Sequence, residues 1–340
     1  MANKAGLGSY ILVRLLLLIP TVLVLLSLVF IVLRVAPGNP AVAHLGPKAT
    51  EEAIARLEER FGLDRPIYVQ YIDYVIGVFQ GDLGESFRFR RPLWPILKPR
   101  LMATFELAIY SFIIAIGLGV FIGQASAKRR GTILDFFGNL YGIVIYAFPI
   151  FWLGMLIILF VSVQWDLLPA SGRFSPRVST PETVTGMYTI DALLEGSINK
   201  FLIALKYLAL PAFTLGIYVS GVFARMTRTN MLQTLQADYV EAAKARGIGN
   251  RKVTMNYAFK NALIPIFTAI GLQFALTLAG AVLTEHTFGW PGMANFLVEM
   301  VKERDYMAVQ GAATVFAFIV AITSIVIDVV NGFIDPRIRY

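Results

Sequence analysis

The fold is decided at Leu107–Ala127, LAIYSFIIAIGLGVFIGQASA, twenty-one residues without one charged side chain. A helix of that length spans the roughly 30 Å hydrocarbon layer of a bilayer. Five more windows behave alike: Leu15–Leu33, Phe136–Trp165, Tyr207–Ala224, Ala262–Thr284 and Met307–Ile327. A charge at the centre of an inserted helix costs about 2.5–3.5 kcal/mol, so six uncharged windows in 340 residues mark six membrane-spanning helices. Composition agrees: 57% hydrophobic residues, 15% charged and a mean hydropathy of +0.67 exclude a water-soluble globule. The first window is too long for a signal peptide, and no small-residue cleavage site follows it.

The net charge of +8 does not point to nucleic acid, because basic residues anchor the cytoplasmic loops of membrane proteins. With the N-terminus inside, those loops hold Lys4 and Arg14, Lys128 to Arg130, and Arg225, Arg228, Lys244, Arg246, Arg251, Lys252 and Lys260. Arg337 and Arg339 follow in the tail. Both termini are therefore expected in the cytoplasm. There is no cysteine and only His44 and His286, so no disulfide, thiolate or histidine-rich metal site is expected, and no cofactor.

Between the first two spans, Thr50-Glu51-Glu52 opens a helix with acids in its first turn. Ile54, Leu57 and Phe61 form its apolar face and Gly62 closes it. A second helix starts at Pro66 and carries Ile67, Tyr71, Tyr74 and Val78 on one side, ending at Gly81-Asp82-Leu83-Gly84. The resulting segmentation is an N-terminal span (1–35), an outer helical segment (36–99) and a five-helix core (100–340) with a cytoplasmic loop at 230–262. Pro149 predicts a kink within the third span. Residues 166–200, rich in Ser, Thr, Pro and Gly, predict an irregular or short-strand outer loop. Small residues recur every four positions at Ala115/Gly119/Gly123/Ala127, Gly216/Ser220/Ala224 and Gly271/Ala275/Ala279. They let helix backbones approach closely, either within the chain or against a second membrane subunit; pore lining is the weaker alternative.

The loop at 230–262 carries the functional signal. Asp238-Tyr-Val-Glu241-Ala242-Ala243-Lys-Ala-Arg246-Gly247 reads as a short amphipathic helix ended by glycine, and a second helix follows from Asn250 toward Pro265. Glu241-Ala242-Ala243 with Gly247 resembles the EAA signature of permease subunits in ATP-binding-cassette (ABC) importers. The simple signature places its apolar-Leu-Pro group closer to the glycine. The later Lys260-Asn-Ala-Leu-Ile-Pro265 is instead similar to the dipeptide/oligopeptide and nickel branch. Ala36-Pro-Gly-Asn-Pro40, Phe61-Gly-Leu-Asp-Arg-Pro66, Gly81-Asp-Leu-Gly84, Phe288-Gly-Trp-Pro-Gly292, Arg304-Asp-Tyr306 and Asp335-Pro-Arg337 resemble the same branch in the same order.

The resemblance implies an all-α integral membrane permease of type I (MetI-like), with six helices and an extracytoplasmic insertion, in the cytoplasmic (inner) membrane. It implies a second permease subunit, two cytosolic ATPases and an extracytoplasmic solute-binding protein as partners, with no nucleic acid. By the same resemblance, the helix around residues 237–247 couples to the ATPase. Glu241 engages a groove or caps the turn, Ala242 and Ala243 allow close approach, Gly247 permits the reversal, and Asp238 and Arg246 flank them. The chain has no Gly-x-x-x-x-Gly-Lys-Ser/Thr phosphate loop, so ATP hydrolysis is expected in separate subunits. Glu106, Glu285 and His286 are candidates for the translocation path, with helix-end pairing as the alternative. The competing reading is a channel or secondary transporter working without an ATPase, and the solute is not legible.

Overall fold

The computed structural model describes residues 7–34, 39–46 and 49–334. Among these residues every regular element is helical, apart from one isolated bridge between Glu85 and Pro92. Lys4, Ala36-Pro37-Gly38 and the Asp335-Pro336-Arg337 tail with Arg339 lie outside the described residues.

Helix α1 (Leu7–Arg34) is apolar on nearly every side, as a span must be. Asn39 caps the short α2 (Pro40–Leu45), accepting from Ala41 N at 2.9 Å with proline at the first position. Thr50 caps α3 (Glu51–Phe61), and Gly62, at φ +62°, closes it with the Leu63 N to Glu58 O bond of a Schellman motif. Pro66 leads into α4 (Ile67–Phe79). The side chains of α4 reach α1 and the last helix, where Val78 and Tyr74 pack with Val22, Leu26 and Ala321. Tyr71 Oη lies 2.6 Å from Ser27 Oγ, and Tyr74 Oη lies 2.6 Å from Thr314 Oγ1. Burial pushes the Tyr74 phenol up to about 12, so it stays a neutral hydrogen-bonding group. Helix α5 (Trp94–Lys128) follows and runs continuously through residue 99.

Helix α6 (Ile133–Ala147) and α7 (Ile150–Ile157) were expected as one kinked span; they meet instead at 102°. Phe148, preceding proline, is held extended at φ −82° and ψ 140°, so the helix stops before Pro149 and restarts after it. A π-helical stretch (Ile158–Gln164) follows. The loop beyond it is irregular without strands, and it ends in a helix the sequence did not suggest, α8 (Tyr188–Leu194).

Helix α9 (Ile198–Leu235), capped by Ser197, packs on α6, α7, α8 and the later α12. The small-residue stripes of α5 and α9 face each other. A Cβ on Gly123 would stand 2.4 Å from Ala224 O, and one on Gly216 would stand 2.9 Å from Ser111 O. Those two stripes are thus an intramolecular seam.

Helices α10 (Asp238–Ala245) and α11 (Asn250–Lys252) form the loop, and a π-helical stretch (Val253–Phe259) joins α11 to α12 (Lys260–Gly280). The expected fifth span breaks at Ala281, before α13 (Val282–Thr287). Helices α14 (Met293–Lys302) and α15 (Tyr306–Ile334) complete the chain.

Four of these helices are long and apolar enough to cross a membrane. Two bent pairs, Ile133–Ala147 with Ile150–Gln164 and Asn250–Phe267 with Ala269–Leu278, bring the number to six if each pair is one span.

The chain forms two compact units, residues 1–101 with 292–328 and residues 102–291 with 329–340. In the first, Asp305 is fully buried and accepts from Ser86 Oγ at 2.5 Å and from the backbone N of Phe87, Arg88 and Ala308. It thereby caps α15 and holds the loop before α5 against it. In the second, Asp135 at the start of α6 takes a two-pronged bond from Arg228 of α9 (2.7 and 3.0 Å), with Ser126 Oγ at 2.7 Å and Gly131 N at 3.0 Å. That buried carboxylate ties the turn between α5 and α6 to α9.

Candidate functional site

Helix α10 emerges from α9 through a tight turn at Gln236 and Ala237. Asp238 and Glu241 occupy its first turn, where the positive end of the helix dipole favours acids. At its other end, Gly247 N donates to Lys244 O (2.9 Å) and Ile248 N donates to Ala243 O (3.3 Å), a Schellman closure. That closure requires the left-handed φ of +73° found at Gly247.

The helix then packs on its own loop. Val240 and Ala243 are buried against Val253 and Ala258, with Leu235, Ile248 and Tyr257 around them. A second cluster, Ala127 with Met231 and Ala262, joins the ends of α5, α9 and α12 beneath the hairpin. Gln124 Nε2 also donates to Met255 Sδ at 3.2 Å. The hairpin is therefore a packed body seated on three long helices.

Its solvent side is formed by Asp238, Tyr239, Glu241, Ala242, Lys244 and Arg246, all exposed. The sequence-selected residues consequently split. Glu241, Ala242, Asp238 and Arg246 face outward together, whereas Ala243 faces inward and its small size serves the hairpin's own packing. Ala237, the N-cap, has no side-chain cap, and Glu241 supplies none.

The translocation-path candidates are placed differently. Glu106 is buried and accepts from Arg173 Nε (3.0 Å), Arg173 Nη2 (2.7 Å), Thr189 N (2.7 Å) and Thr189 Oγ1 (2.8 Å). Arg173 is itself buried, lies 3.9 Å over the Tyr188 ring and donates to Gly186 O at 2.6 Å. Glu285 is fully buried with Thr104 Oγ1 donating to it at 2.6 Å, whereas its neighbour His286 is exposed. Trp290 closes this region, its indole donating to Ala103 O at 2.9 Å. Arg173 carries no signal in the sequence. It lies 67 residues from Glu106 within a loop of no periodicity, so no local pattern marks it.

Comparison with known proteins fits this architecture. Residues 115–340 match the family described as "Binding-protein-dependent transport system inner membrane component", and residues 8–108 match its N-terminal companion, "Binding-prot-dependent transport system membrane comp, N-term". The chain belongs to this family of ABC importer permeases. It is similar to the dipeptide transport system permease protein DppB of Escherichia coli K12, with 38% identity over 335 residues, covering 98% of this chain and 99% of that protein. Similarity is comparable to the di/tripeptide transport system permease protein DppB of Pseudomonas aeruginosa, 39% over 333 residues (98% and 99%). The glutathione transport system permease protein GsiC of Salmonella typhimurium shares 35% over 332 residues (98% and 99%). The chain is thus an all-α membrane permease of a binding-protein-dependent transporter, as the collinear motifs implied.

Proposed function

We propose that this permease imports short peptides, receiving them from an extracytoplasmic binding protein and drawing its energy through α10 from cytosolic ATPases. The chain itself is no enzyme. In this reading it pairs with a second, non-identical permease subunit, with both termini in the cytoplasm. The peptide assignment is supported by similarity to dipeptide and di/tripeptide permeases over nearly the whole chain.

The coupling assignment is carried by one observation: a hairpin buried on its inner side against α5, α9 and α12 and exposed along Asp238, Glu241, Ala242 and Arg246. A body so seated transmits a push to the helices beneath it instead of absorbing the push by bending. ATPase closure then shifts the balance between two packings of the spans, through contacts that differ between them. Glu106 and Glu285 are buried in the present packing, so a role in the path requires the alternative one to uncover them.

The chain contains no cysteine, so a single Ala242→Cys is a unique reporter in this subunit. In membranes bearing the full importer it is expected to crosslink to an ATPase subunit carrying a cysteine in its permease-facing groove. A cysteine at Thr132, on the exposed turn between α5 and α6, serves as the control. Crosslinking no greater at 242 than at 132 would remove the coupling assignment.

A further inference from the structure

The first compact unit contains a cavity of about 290 Å³ bordered by α1, α3, α4 and α15, on the side expected to be extracytoplasmic. Arg34, the last residue of α1, lines it and is half-buried. Its guanidinium donates through Nε to Gln310 Oε1 (3.1 Å), through Nη1 to Gln70 Oε1 (2.8 Å) and through Nη2 to Met307 Sδ (3.2 Å). All three acceptors are neutral.

Among the described residues no carboxylate lies within ion-pair distance of Arg34, although the neighbouring cations of the cavity have partners. Arg60 pairs with Glu85 at 2.9 Å and Arg65 with Asp73 at 3.1 Å. A guanidinium has five N–H donors, so two remain unused by the described residues.

The surroundings hold this cation in place. Gln70 Nε2 donates to Leu63 O (3.1 Å) and Arg65 O (2.8 Å), which fixes its amide with the oxygen toward Arg34. Gln310 is nearly fully buried. Withdrawing a charge from water without an opposite charge is costly, and a planar fork of free donors is shaped for a carboxylate. Glu59 and Asp82 line the same cavity and offer negative charge within it. Its volume lies just below the roughly 300–1,000 Å³ of ligand pockets for drug-sized molecules, which suits one small solute.

We infer that this cavity is a binding site for a small zwitterion, its carboxylate on Arg34 and its ammonium toward Glu59 and Asp82. The choice of a free dipeptide as occupant rests on the peptide-import reading.

The test uses the full chain in phosphatidylcholine nanodiscs with radiolabelled dialanine as the probe. Saturable binding is expected, with unlabelled dialanine competing and dialaninamide, which lacks the carboxylate, failing to compete. Arg34→Gln should weaken binding roughly tenfold or more, since hydrogen bonds to a charged group are lost. Gln310→Glu keeps the side-chain shape and supplies an internal carboxylate beside Arg34; it should weaken binding equally, and it decides the matter if Arg34→Gln does not fold.

Equal competition by dialaninamide, or wild-type affinity in Gln310→Glu, would overturn the inference. So would phosphatidylglycerol retained by the wild type, lost in Arg34→Gln and not displaced by dialanine, because the bound anion would then be a lipid headgroup. ATP-driven dialanine uptake by the assembled importer is scored separately. No uptake by the wild type is a failure of the peptide-import reading, whereas unaltered binding in the variants is a failure of this site alone.

Discussion

A Cβ added at Gly247 meets open space, so what forbids a side chain there is the left-handed backbone and not crowding. A non-glycine residue pays roughly 1–2 kcal/mol in that conformation, and asparagine tolerates it best. Gly247→Val is therefore expected to loosen the hairpin and abolish ATP-driven uptake, with Gly247→Asn retaining much of it; uptake assays on the two variants check the order. The Glu241 side chain is exposed and makes no hydrogen bond or ion pair with a described residue, so Glu241→Lys should lower the thermal midpoint only slightly, through the lost interaction with the helix dipole. The same variant should cut co-purification of the ATPase subunits and stop transport. Arg173 behaves in the opposite way. Its removal strands a buried carboxylate at Glu106, a change that typically costs about 3–5 kcal/mol. Arg173→Ala should markedly lower the melting temperature of the detergent-solubilised protein, and Arg173→Lys should restore little, because it lacks the two-pronged geometry and the flat face over Tyr188. The helix end at Gly247 was legible in the sequence because such a stop is written in neighbouring residues. The Glu106–Arg173 pair was not, because it is made by tertiary folding across 67 positions.

Among the elements, helix ends were the most legible: Thr50, Gly62 and Pro66 each sit where their local chemistry demands. The small-residue stripes announced close helix packing, but a stripe does not say which stripe it meets. The structure joins Gly119 and Gly123 of α5 to Ser220, Ala224 and Thr227 of α9. At Gly123 even a methyl group has no room, with backbone 2.4 Å away, so the helices must part. Gly123→Ala is expected to destabilise by about 1–3 kcal/mol, whereas Gly117→Ala, facing open space, should be neutral. Thermal unfolding of both variants in one detergent makes the comparison. Pro149 was legible as a disturbance and not as a 102° break, since the depth of a bend depends on what the second half packs against. Here α7 lies on α13, where Gly154 meets the Phe288 ring.

For the molecule as a whole, the proposed reading is of an apolar chain with no phosphate-binding loop that draws its energy from a partner through its packed hairpin. The alternative of a self-sufficient channel or gradient-driven transporter differs from this in one measurable respect. Proteoliposomes containing this chain and its paired permease, with a proton or sodium gradient and no ATPase, should show no dipeptide uptake. Adding the binding protein, the ATPase subunits and ATP should start it, and omitting ATP should stop it. Uptake of the dipeptide by the permease without any ATPase would contradict the account.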